Sequence, residues 1–234
     1  MADAIFIEQA LWPMTSFAMA LLLFLLVVHK SYRVFPAFCC YMAASLLQSA
    51  ALVATYRVWG FSSPIAWRMG WITQVIVLCA RTTAVVELCR HVLVRFRGIW
   101  ALAWRLLIAS AALVLIFAAI FGRHEWQVTL TTAEIAVELA IAAIIILLLL
   151  FARYYQVPAS APVRALAFGL GFYSCVSVIN DAVLERWLAH YVSLWNAMGM
   201  AAFLVSLLIW TWAFRNPIGE PAAAPVCLDR KSVV

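Results

Sequence analysis

Seven long apolar stretches constrain this chain more than any other feature of its sequence. They run over 10–29, 34–56, 65–92, 100–121, 126–153, 163–187 and 191–214, each near or above the ~20 residues that an α-helix needs to cross hydrocarbon. A chain that is 68% hydrophobic and 11% charged, with a mean hydropathy of +1.03, carries more apolar surface than a water-soluble domain of this size can bury. The expected fold class is therefore all-α, a polytopic membrane bundle of seven transmembrane helices. Pro13, Pro36, Pro64 and Pro162 stand at or near the first turns of their stretches, where a missing N–H is tolerated, and Pro217 follows the last one. The connections are too short for an extramembrane domain, so the chain reads as one membrane domain over 1–215 and a short unstructured tail over 216–234.

Positive charge sets the expected orientation. With the first connection placed in the cytoplasm, the inner side receives Lys30, Arg33, Arg90, Arg95, Arg97, Arg105, Arg153, Arg164, Arg215, Arg230 and Lys231, and the outer side only Arg57, Arg68, Arg123 and Arg186. The positive-inside rule then gives N-out, C-in. Trp12, Trp59, Trp67, Trp126, Trp187 and Trp195 map to the outer interface and Trp100, Trp104, Trp210 and Trp212 to the inner one, where indoles anchor helices. The net charge of +6 is spread over loops rather than gathered on one face, which argues against a nucleic-acid partner and for the lipid bilayer. No basic n-region precedes the first stretch, so it reads as a retained anchor. Arginine far in excess of lysine, together with abundant Ala, Leu and Trp, is a balance common in GC-rich bacterial genomes and suggests a bacterial inner membrane.

Several chemistries are disfavoured by the residues they require. The last stretch has no Lys for a retinal Schiff base. His29, His91, His124 and His190 lie at helix ends or in connections without metal-ligand spacing, so neither a metal site nor a haem is expected. The cysteines form no CxxC, and no GxSxG motif is present. No cofactor is expected, and the chain reads as a non-enzyme.

The informative residues are ionisable groups in the middle of the stretches, where burying a charge costs roughly 2.5–3.5 kcal/mol on insertion scales. From the outer ends, Arg81 lies about 21 Å into the third stretch, Glu134 and Glu138 about 12 and 18 Å into the fifth, and Asp181, beside Asn180, about 9 Å into the sixth. Gln127, Thr131, Glu134 and Glu138 recur at helical spacing, as do Ser174, Ser177, Asp181 and Glu185, while Gln74 and Arg81 stand seven apart. Tyr41, Ser45, Gln48 and Thr55 give the second stretch a polar side. The first and fourth stretches carry almost no such polarity. The expectation is a polar interior that opens outward between the second, third, fifth and sixth helices, with Asn196 of the seventh as a further candidate and the first and fourth helices peripheral. Gln74, Arg81, Glu134, Glu138, Asn180 and Asp181 are the candidate ligand- or proton-binding residues, with Arg81 paired to Glu138. Glu87, followed by Arg90 and His91, reads as a structural residue satisfied locally.

One Arg against three carboxylates leaves surplus acid, whose natural partner is a proton or a small cation. The same polar residues could alternatively do no more than hold the helices together. Sequence thus points to a sensor, regulatory or accessory membrane protein that binds a small ligand or proton, with a small proton- or cation-coupled transporter as the alternative. No Pro breaks a stretch midway and the halves show no matching pattern, which disfavours transport. The tail is too short for an output domain, so a sensor needs a separate signalling partner. The final Ser232-Val233-Val234 fits a loose PDZ-ligand pattern.

Overall fold

The structure, a computed structural model, describes residues 2–60, 63–93, 101, 104, 105, 126–157, 160–187 and 192–215, with side chains omitted at 2–9, 126–131, 181–187 and 192–195. The described chain is all-helical: α1 (Ala2–Val28), α2 (Pro36–Trp59), α3 (Pro64–Leu93), α4 (Trp126–Tyr154), α5 (Ala161–Trp187) and α6 (Val192–Ala213). A short 3-10 turn, Ser31–Arg33, joins α1 to α2. All six helices are long and apolar enough to cross a membrane. The expected stretch over 100–121 and the tail over 216–234 lie outside the described residues.

Six helices close into a ring in the spatial order α3, α2, α1, α6, α5, α4 and back to α3, and α3 also touches α5 across it. This corrects one expectation: α1 is a full member of the ring, between α2 and α6. Its low polarity misleads because Trp12 and Ser16 supply the polar contact. The Trp12 indole donates to Ser49 Oγ at 3.0 Å, and Ser16 and Ser49 share a 3.0 Å hydrogen bond. Asn196 of α6 is exposed rather than part of the interior.

α1 begins earlier than its apolar stretch, so Pro13 sits inside the helix instead of at its first turn. The Thr15 hydroxyl donates to the Trp12 carbonyl at 2.8 Å beside it. Pro36 opens α2 as expected, but Phe35 before it offers no side-chain cap. Glu87 of α3 does that work, its two oxygens accepting the amides of Ala37 at 3.2 Å and Phe38 at 3.0 Å. These are among the first amides of α2, which have no partner within the helix. Glu87 is structural, as expected, but through α2 rather than through the Arg90 and His91 side chains. His91 bonds the Glu87 backbone carbonyl at 2.9 Å.

Packing is tightest where α5 meets its neighbours. A Cβ on Gly169 would overlap the Trp210 indole, and one on Gly171 would stand 3.0 Å from Ile145 Cγ2 of α4. The two glycines thus let α6 and α4 approach α5 closely, the usual role of small residues between membrane helices. Ser206 of α6 closes the first contact by donating to the Gly169 carbonyl at 3.0 Å. Trp210 is fully buried against Phe38 and Tyr41 of α2, so this indole is core rather than an interfacial anchor. Trp212, by contrast, is exposed with Arg215 over its ring at 5.1 Å.

Candidate functional site

The polar residues of α3 and α4 meet in two layers. In the first, Gln74 donates its amide to Glu134 and accepts from Gln48 of α2 at 3.0 Å. In the second, Arg81 and Glu138 form an ion pair, with exposures of only 3% and 1%. The pairing expected from their depths is present. Because Gln74 precedes Arg81 and Glu134 precedes Glu138, the two contacts make α3 and α4 run in the same direction.

Arg81 is held from several sides. Glu138 takes one end of the guanidinium, the Tyr173 ring of α5 lies 4.9 Å from its Cζ, and the Tyr41 hydroxyl of α2 is within hydrogen-bond reach. Its Nε is buried and has no hydrogen-bond partner among the described residues. A guanidinium carries five N–H donors in a rigid fork and stays charged at any accessible pH. An idle donor at such a position is a standing demand for an acceptor.

Arg81 also borders a cavity, although its Nε is not open to it. About 250 Å³ of open space lies between α1, α2, α3, α5 and α6, with Arg81, Gln74, Gln48 and Ser45 as polar lining and Trp12, Tyr41, Tyr173 and Phe203 as aromatic lining. The volume is just below the roughly 300–1,000 Å³ of pockets for drug-sized ligands. Among the described residues Arg81 is the one charged side chain lining it, and no carboxylate does.

The six candidate residues therefore separate. Gln74 and Arg81 line the cavity, Glu134 and Glu138 stand behind them on α4, and Asn180 turns its amide toward Gly199 of α6. The Asn180 Oδ1 is buried and lacks a partner among the described residues. Asp181 lies in α5, but its side chain is outside the described residues. Sequence reasoning did not place Trp12, Ser49, Tyr173 and Phe203 at the site. Tyr173 had a signal, since it stands four and eight residues before Ser177 and Asp181 on the same helical line. Trp12 had none, because an interfacial anchor and a cavity wall look alike in sequence. Among the described residues no group of His, Cys, Asp and Glu side chains could hold a metal ion.

Compared with known protein families, with curated proteins and with solved structures, the chain matches none.

Proposed function

We propose that the chain is a seven-span protein of a bacterial inner membrane, N-out and C-in, whose intramembrane cavity binds a small ligand in a sensing, regulatory or accessory role rather than in catalysis. The observation that carries this reading is the open cavity of about 250 Å³ that ends on a buried, partly unsatisfied Arg81. Interhelical hydrogen bonding alone needs no such space. Parallel α3 and α4 support seven spans, since the chain leaves α3 at one end of the bundle and enters α4 at the other. His29 of α1 bonds the Phe214 carbonyl at 2.8 Å, so α1 and α6 finish at a common end. That end also carries Lys30, Arg33, Arg90, Arg153, Arg164 and Arg215, which supports its assignment to the cytoplasm.

The test is a thermal-shift screen of the purified full-length protein against small anionic, neutral and cationic compounds. A ligand at a hundred times its Kd stabilises by about 2.7 kcal/mol, and Gln48→Leu in the cavity wall should abolish the shift while the protein stays folded. No stabilising compound of any charge class would refute the reading. Transport is the alternative reading: Pro13 lies inside the continuous helix α1, next to Trp12 of the cavity wall, and a proline there removes one backbone hydrogen bond. Liposome flux of the stabilising compound, lost in Gln48→Leu, would select transport over sensing.

A further inference from the structure

Which ligand the cavity takes follows from its charges, given the small-ligand reading above. The described lining presents one guanidinium, several amide and hydroxyl groups and four aromatic rings, and no carboxylate. A small cation would meet Arg81 and find no opposing charge among these groups. A carboxylate would find the Arg81 guanidinium, with the Gln48 and Gln74 amides and the Tyr41 hydroxyl close by. Its apolar remainder would lie among Trp12, Tyr173 and Phe203. A cationic partner is thus disfavoured at this cavity, because neither Glu134 nor Glu138 lines it; the side chain of Asp181, the third acid, lies outside the described residues.

The ion pair adds a condition. Arg81 and Glu138 together are neutral, so an incoming anion would leave one net negative charge in a site with little water to solvate it. A proton on Glu138 restores neutrality and frees Arg81 to turn its donors to the ligand. Among the described residues, the charged or titratable groups around Glu138 are Arg81 from α3, Glu134 one turn away on α4, Tyr41 from α2 and Tyr173 from α5. Of these, Arg81 alone is in direct ionic contact with Glu138. We propose that the cavity binds a small organic monocarboxylate together with one proton, Arg81 holding the carboxylate and Glu138 taking the proton.

Probes of one shape and three charges test this on the wild-type protein in detergent. Benzoate should raise Tm saturably, while benzamide and benzylamine should not. Its affinity should strengthen about tenfold for each unit that pH falls over the range where Glu138 is ionised in the free protein and protonated in the complex. A weakly buffered solution with an indicator dye should report about one proton taken up per benzoate bound in that range. Glu138→Gln, which mimics the protonated acid, should keep benzoate binding and remove both the pH dependence and the proton uptake. Arg81→Gln should lose binding.

Stabilisation by benzylamine or benzamide but not by benzoate would overturn the anion class while leaving a small-ligand site in place. Benzoate binding without proton uptake would overturn the coupling. Should Arg81→Gln fail to fold, the three-probe comparison and the Glu138→Gln titration decide without it. A protein that responds to no probe of any charge refutes the anion inference, and the broader screen then decides whether the cavity binds ligands at all.

Discussion

At the scale of single residues, the stability of the centre turns on Arg81 and Glu138. Both are almost fully buried, and removing one partner strands the other's charge, at a typical cost of about 3–5 kcal/mol. Arg81→Ala or Glu138→Ala should therefore sharply reduce the folded yield in size-exclusion chromatography. Arg81→Glu combined with Glu138→Arg should recover part of it, and a double-mutant cycle without coupling would show that the pair contributes nothing as a pair. Glu138→Gln is milder, since a neutral amide strands less charge. Glu87 makes a separate prediction. Its carboxylate serves the amides of Ala37 and Phe38 at the positive end of α2, so Glu87→Ala should cost about 0.5–2 kcal/mol, the usual range for a lost N-terminal cap. A thermal shift below a few tenths of a kcal/mol would mean that water replaces it. The Arg81 pairing was legible in sequence because depth along a helix is fixed by its 1.5 Å rise and a charge in lipid must find its opposite. The partner of Glu87 was not, because its donors were assigned within α3, whereas the donors it meets are the Ala37 and Phe38 amides of α2, a helix start that has no side-chain cap of its own.

At the scale of helices, the contact between α5 and α6 is tied to the cavity through one side chain. Trp210 leaves no room for a Cβ on Gly169 and is wedged at its other side by Phe38 at 5.1 Å and Tyr41 at 6.4 Å between ring centroids. Tyr41 lines the cavity. Overpacking usually costs about 1–3 kcal/mol, and an indole with 0% exposure has nowhere to retreat except toward Tyr41. Gly169→Ala should lower Tm by that cost and also weaken ligand binding from a distance. Gly169→Ala combined with Trp210→Phe should relieve both. Ligand affinity unchanged in a destabilised Gly169→Ala would uncouple the interface from the site. Helix positions were legible from hydropathy and proline placement, and five of the six described helices both begin and end within a few residues of their apolar stretches. The start of α1 was not, since residues 2–9 include Asp3 and Glu8 and extend the helix beyond its apolar part. Which indole is core and which is anchor was equally hidden, because it depends on helix rotation: Trp210 and Trp212, two residues apart, face opposite environments.

At the scale of the whole molecule, the order of helices in the ring decides how the chain threads the bilayer. α1 and α2 are joined by a turn of a few residues and must be antiparallel, as must α2 and α3 and the pair α5 and α6. The α3 and α4 helices run parallel by their two side-chain contacts. The described helices thus place the start of α1 and the end of α6 at opposite ends of the bundle, which supports the proposed seven spans. With the basic end in the cytoplasm, a cysteine at position 123 should be labelled by a membrane-impermeant maleimide in intact cells, on a background with all six native cysteines replaced. Cysteines at 97 and 160 should be labelled only after permeabilisation. The three positions test different things. Labelling of 123 and 97 from opposite sides requires a crossing between α3 and α4, whereas labelling of both from one side would leave six spans and a re-entrant connection. Position 160 opens α5 next to Arg153 and Arg164, so its exposure reports the orientation independently of the crossing count. If 160 is reached from outside in intact cells, the positive-inside assignment is reversed, and the cavity then faces the cytoplasm and samples a different pool of anions.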